Sequence, residues 1–191
     1  MRLVLGSASP RRAELLRAAG LDFDIDPGNI DETAFSTEAP ESFVRRMAVE
    51  KAGAVAKRWP DRVVLGADTM VVVAGQALGK PTDPPDAVRM LRLLAGRDHV
   101  VMTGVCLFGA GTAMVPQVHV EQTRVWFAPM RDSEIAWYVA TGEPADKAGA
   151  YAIQGLGSRF VTRVDGSYSN VVGLPVATVY QMCTAAGMLI S

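Results

Sequence analysis

Arg62-Val63-Val64-Leu65-Gly66-Ala67-Asp68-Thr69-Met70-Val71-Val72-Val73-Ala74 is almost wholly apolar and rich in β-branched residues, with a single carboxylate and a single hydroxyl at its centre. A run of this kind, without polar alternation, suits a strand covered on both faces, so it predicts a central strand. Gly75-Gln76 then provides a turn before Ala77-Leu78-Gly79-Lys80.

Upstream of that strand, Leu3 to Leu5 reads as a short buried strand and Gly6 to Ser9 as a turn. Pro10 to Ala19 reads as a helix, with Ser9 as N-cap, Pro10 at the first position and Gly20 at the exit. Phe23 and Ile25 alternate with Asp22, Asp24 and Asp26 as a half-exposed strand does; a loop carrying Asp31-Glu32 follows, then a long helix from about Pro40 to Trp59. Downstream, Asp83 with Pro84-Pro85 starts a helix ending near Gly96, and His99 to Phe108 and Gln117 to Phe127 look like paired strands around Gly109-Ala110-Gly111. Helices are expected at Asp132 to Thr141 and Val176 to Met188, separated by a stretch, Ala145 to Pro175, rich in glycine, serine and aromatics. Strands alternating with helices indicate an α/β protein with a mixed sheet.

The chain has 191 residues, 49% of them hydrophobic, enough for one sizeable core in a single domain spanning 1–191 or in two closely joined lobes. A formal net charge of -1 provides no overall field toward nucleic acid or an anionic membrane, so any affinity for anions must be local. Cys106 and Cys183 stand in apolar settings with no partner at metal-ligand spacing, and no apolar run is long enough for a signal peptide or a membrane span. A cytoplasmic protein is expected.

Three placements conflict with local physics. Arg11-Arg12 occupy the opening turn of a helix, where free N–H groups and the dipole disfavour cations. They are either solvated surface residues or partners of an anion held at Ser7-Ala8-Ser9. Lys51 projects from the apolar stripe formed by Phe43, Val44, Met47, Ala48 and Val55, and so either snorkels or points its ammonium into a cleft. Asp68 is an isolated carboxylate in the central strand, which must be paired, hydrogen-bonded or bound to metal. It is a structural acid, a metal ligand or a general base toward water.

Other signals are bland. Gly79-Lys80 is not a P-loop, since Pro81 replaces the required serine or threonine and Ala74 stands where a glycine is needed. Gly155-Leu156-Gly157 lacks the third glycine of a dinucleotide fingerprint, its place being taken by Phe160. His99 and His119 are lone residues in strands and read as structural. Ser7, Ser9 and Ser167 have no credible activating base and are better hydrogen-bond donors than nucleophiles.

Taken together, Ser7-Ala8-Ser9-Pro10-Arg11-Arg12, Asp31-Glu32, Glu50-Lys51-Ala52, Gly66-Ala67-Asp68-Thr69, Gly79-Lys80-Pro81, Tyr151-Ala152-Ile153-Gln154-Gly155 and the segment from Gly166 to Pro175 resemble the Maf family of nucleotide pyrophosphatases. The resemblance implies an elongated, two-lobed α/β fold related to inosine triphosphate pyrophosphatases, with a mixed twisted sheet, flanking helices and a central cleft. It also implies a divalent cation, Mg2+ or Mn2+, a nucleoside triphosphate substrate and a homodimer. By position, the family's catalytic acid or base falls on Asp68, and its polar set on Ser9, Arg12, Glu32, Lys51 and Lys80. Arginine, threonine and glutamine at Arg11, Thr69 and Gln154 match the branch acting on dTTP and UTP; the N7-methyl-GTP branch carries tryptophan at the position of Arg11.

On this reading Arg12, Lys51, Lys80 and the turn from Ser7 to Ser9 cradle the triphosphate, Glu32 and Asp68 hold the metal, and water attacks the α-phosphorus. Gln154 complements the O4 and N3–H edge of uracil or thymine, with Arg11 or Thr69 fixing its amide against cytosine. Two other classes stay open: a non-catalytic nucleotide-binding regulator of cell division, and a nucleotidyl transferase that needs an acceptor.

Overall fold

The computed structural model of the chain describes residues 2–33, 38–109 and 115–188. Its elements run β1 (Leu3–Leu5), α1 (Pro10–Ala18), β2 (Phe23–Ile25), α2 (Pro40–Ala56), β3 (Val64–Val73), β4 (Gln76–Leu78), α3 (Pro84–Leu94) and β5 (Asp98–Phe108). They continue with β6 (Gln117–Phe127), α4 (Asp132–Ala140), β7 (Val161–Asp165), α5 (Tyr168–Val172) and α6 (Val176–Ala185). The predicted helices and strands are present, the helices ending one to three residues earlier than expected. The connection expected around Gly109-Ala110-Gly111 lies mostly outside the described residues.

The strands form a mixed seven-stranded sheet: β1 is parallel to β2 and β3, while β3–β4 and β6–β7 are antiparallel. Contacts divide the chain into two units, the first made of 1–69, 103–121 and 173–191, the second of 70–102 and 122–172. β3, β5 and β6 each pass from one unit into the other.

In the first unit, strand alternation sorts the core into two faces. Leu3, Leu5, Leu65, Ala67, Val105 and Leu107 pack with Ala13 and Leu16 of α1 and Val179 and Cys183 of α6. Val4, Val64 and Cys106 point the other way and meet Ala48, Ala52 and Val55 of α2. The apolar run of β3 is therefore buried on both faces, as its lack of alternation required.

α2 sits unusually close to the sheet because glycine occupies the contact. A Cβ at Gly66 would lie 2.3 Å from the Ala48 carbonyl oxygen, and one at Gly104 2.2 Å from that of Val44. No side chain fits at either point, so helix backbone rests on strand backbone.

The second unit buries Met90, Leu91 and Leu94 of α3 with Val101, Val125, Phe127, Ile135, Tyr138 and Phe160. Asp83 caps α3 as expected, accepting from the Asp86 N–H at 2.8 Å. The lone His99 is structural: its Nε2 lies 2.8 Å from the Tyr151 hydroxyl, and its ring meets Phe127 and Tyr151 edge-on.

Four local expectations are corrected. The β3–β4 turn is Ala74-Gly75, not Gly75-Gln76, because Gln76 already pairs with Val73; both turn residues have positive φ, 49° and 78°. The alternation predicted around Phe23 and Ile25 is absent, since Ile25 is 48% exposed. Among the described residues that strand is an edge, paired with β1 alone. Ser9 stands at the N-cap of α1 but its side chain makes no capping bond. The glycine-rich stretch from Ala145 to Pro175 contains β7 and α5, which its composition did not suggest.

Candidate active site

The first unit builds its polar centre beyond the end of β1 and at the middle of β3. β1 ends at Leu5, and the chain turns through Gly6 to Ser9 into α1. Ser7 is buried, and its Oγ accepts from the Ser9 N–H at 3.3 Å and from Arg12 Nη1 at 3.0 Å.

Arg12 is 9% exposed, so it is not a solvated surface residue. Its Nε donates to the Gly173 carbonyl at 2.8 Å and its Nη2 to Thr69 Oγ1 at 3.0 Å. Burial lowers its pKa, partly offset by Asp68; a guanidinium nonetheless stays charged in a protein. The cation is thus fixed in orientation by three acceptors before any anion arrives. Arg11 and Ser9 lie beside it, both half-buried.

Asp68 and Thr69 are consecutive in β3 and therefore face opposite sides of the sheet. Thr69 points with Leu65 and Ala67 toward α1, where it meets Arg12; its hydroxyl also lies 3.0 Å from Thr103 Oγ1 and donates to the Gly173 carbonyl at 3.3 Å. Asp68 shares its face with Gly66, on which α2 rests, and Lys51 of α2 meets it there. Lys51 Nζ donates to Asp68 Oδ1 at 2.7 Å and pairs with Glu32 Oε1 at 2.9 Å. Lys51 and Asp68 are 7% and 9% exposed, whereas the Glu32 side chain is 60% exposed. Lys51 therefore does not snorkel; it holds two carboxylates.

Lys80 and Gln154 belong to the second unit and are both exposed. Thr103 and the Gly173 carbonyl were missed; a threonine within an apolar strand and a glycine in a glycine-rich stretch gave no signal of their own.

Among the described residues no group of three or more His, Cys, Asp or Glu is placed to hold a metal ion. Two carboxylates are gathered at one point, however. Mg2+ is commonly held by one or two carboxylates, with substrate phosphates and waters completing its shell. Glu32 and Asp68 fit an ion that arrives with a triphosphate better than one caged by protein alone.

The arrangement offers two fixed cations, Arg12 and Lys51, and a buried carboxylate. That is chemistry suited to an anionic substrate and to proton removal from water.

Proteins named dTTP/UTP pyrophosphatase from Koribacter versatilis and Geobacter sulfurreducens are 51% and 50% identical to this chain, each over 189 residues. The matches cover 99% and 98% of this chain and 96% and 98% of those proteins. One from Anaeromyxobacter dehalogenans is 53% identical over 187 residues, covering 97% of this chain and 94% of its own length.

Solved structures share the fold. A Ham1 protein from Staphylococcus aureus superposes with a TM-score of 0.53 at 12% identity, over 97% of this chain and 99% of that one. One from Coxiella burnetii gives 0.51 at 15%, over 99% and 100%. With the model of Maf-like proteins matching residues 2–186, the chain belongs to the Maf family.

Proposed function

We propose that this protein hydrolyses dTTP and UTP to the monophosphate and pyrophosphate. The observation that carries the reading is the buried Asp68 carboxylate, held at 2.7 Å by Lys51 and lying next in sequence to the Thr69 hydroxyl that receives Arg12. A carboxylate buried beside fixed cations has an evident use in activating water at a phosphate, and little use in binding a phosphate alone. The names of the half-identical relatives support the choice of substrates.

In this mechanism Arg12 and the turn from Ser7 to Ser9 hold the phosphate chain through charge-assisted and N–H bonds. Lys51 bonds Oδ1 of Asp68 and fixes the carboxylate plane, leaving Oδ2 to accept a proton from water as its oxygen attacks the α-phosphorus. The bond from the α-phosphorus to the bridging oxygen breaks, and pyrophosphate leaves with its charge met by the cations. Glu32 and Asp68 would hold a divalent cation, which when bound supplies charge neutralisation and Lewis acidity to the phosphates.

Lys80 is assigned a phosphate contact and Gln154 the pyrimidine edge, with Arg11 and Thr69 completing selectivity; these roles follow the family resemblance. On the same ground, residues 1–191 are proposed to work as one domain, in a cytoplasmic homodimer. Among the described residues no helix is long and apolar enough to cross a membrane.

The test is pyrophosphate release from dTTP, UTP, CTP, dATP, GTP and N7-methyl-GTP with Mg2+ or Mn2+, for the protein and for Asp68→Asn. Turnover confined to dTTP and UTP, and reduced at least about 100-fold in the variant, is expected. Nucleotide binding without turnover would overturn the reading in favour of a non-catalytic regulator.

A further inference from the structure

Gly155-Leu156-Gly157 is no dinucleotide fingerprint, yet its backbone does grip an anion, and that anion is internal. The Glu143 side chain reaches this loop: the Leu156 N–H donates to Oε2 at 2.9 Å and the Gly157 N–H to Oε1 at 3.0 Å. Oε1 also accepts from the Tyr138 hydroxyl at 2.6 Å. That hydroxyl in turn accepts from the Ala152 N–H at 3.0 Å. Tyr138 is fully buried, so the arrangement hangs from a fixed point.

The glycines are what make it possible. A Cβ on Gly155 would lie 2.1 Å from Glu143 Oε2, and one on Gly157 2.6 Å from the Tyr138 hydroxyl. The loop is thus pinned at 152, 156 and 157, and between those pins stands Gln154, exposed. An amide that must tell uracil from cytosine by its orientation needs a backbone that does not rotate beneath it.

We infer that Glu143 and Tyr138 are positioning residues for pyrimidine selectivity, holding the loop that presents Gln154. The inference rests on the base-reading role proposed for Gln154. Neither residue touches nucleotide; both act through the Ala152, Leu156 and Gly157 amides.

The experiment compares kcat/KM for UTP and CTP in the protein, Glu143→Gln, Tyr138→Phe, Gln154→Ala and the double variant Glu143→Gln with Gln154→Ala. Amide exchange at Leu156 and Gly157 is followed alongside. Tyr138→Phe keeps the buried ring and removes only the hydroxyl, which covers the case in which Glu143→Gln fails to fold. The UTP-to-CTP ratio is expected to fall on the order of tenfold in each single variant, mainly through KM for UTP, with faster exchange in Glu143→Gln. The double variant is expected to be no worse in ratio than Gln154→Ala, a non-additivity that a merely structural role would not produce.

If Gln154→Ala lowers the ratio and the Glu143 and Tyr138 variants do not, the positioning role is overturned and the base-reading role stands. If Gln154→Ala leaves the ratio unchanged, both fall. Unchanged amide exchange in Glu143→Gln would also overturn the inference, whatever the kinetics.

Discussion

Lys51 reaches Asp68 at 2.7 Å because Gly66, two residues earlier on the same face of β3, has no side chain to hold α2 away. The ion pair is therefore a product of backbone approach as much as of charge. Its removal and the removal of its glycine have separate signatures.

Replacing Lys51 by methionine leaves Asp68 buried without its cation. A loss of about 3 kcal/mol of unfolding free energy is expected, together with loss of turnover. Glu32→Gln, at a mostly exposed side chain, is expected to cost under about 1 kcal/mol. Urea denaturation of the two variants separates these outcomes; equal stabilities would show that Lys51 does not compensate Asp68.

Gly66→Ala places a methyl group against helix backbone, which has no flexible end to yield. A destabilisation of about 2–3 kcal/mol is expected, with lower turnover as α2 shifts. Gly79→Ala meets nothing within 4 Å and is expected to change stability by less than about 0.5 kcal/mol. A Gly66→Ala protein as stable as its parent would refute the close seating of α2.

Ala74 has φ 49° in the β3–β4 turn, a conformation that asparagine tolerates better than alanine. Ala74→Asn is expected to raise stability by about 1 kcal/mol, seen as a higher Tm. A fall in Tm would mean that the turn is not of this kind.

His99 is held at a pKa of about 4 by burial, against an ordinary 6.5. Between those values the unfolded chain binds a proton that the folded chain refuses. Stability therefore falls as pH drops from about 6.5 toward 4, by roughly 3 kcal/mol in total, and this group adds no further loss below that. Urea titrations at pH 7 and pH 5 should show a loss about 2 kcal/mol smaller in His99→Gln than in the protein. Equal losses would remove His99 as the cause.

Asp68 and Lys51 were visible in the sequence because each breaks a local rule, a carboxylate in an apolar strand and an ammonium in an apolar stripe. That they break it together was not visible, since no periodicity links positions 17 residues apart. Arg12 was legible as an anomaly, but its three acceptors come from a turn, a strand and the distant Gly173, which only the fold assembles. The strands and the mixed character of the sheet followed from apolar runs and turn signals, but the order of the strands in the sheet did not; the close seating of α2 at Gly66 and Gly104 was not legible because a missing side chain leaves no pattern. Glu143 was silent for a similar reason: a solvated acid and a loop clamp look alike until the amides facing them are placed.

The first unit gathers three stretches of chain, and Arg12 takes its shortest bond from a carbonyl 161 residues further on. On the ribosome, at roughly 5–20 residues per second, Arg12 therefore waits on the order of ten seconds for its acceptor to be made. Throughout that interval Leu3, Leu5 and Leu16 lack the α6 residues that cover them in the finished core. A translation stop before Gly173 would therefore yield a chain that carries every proposed catalytic side chain and still lacks the acceptor of its arginine's shortest bond.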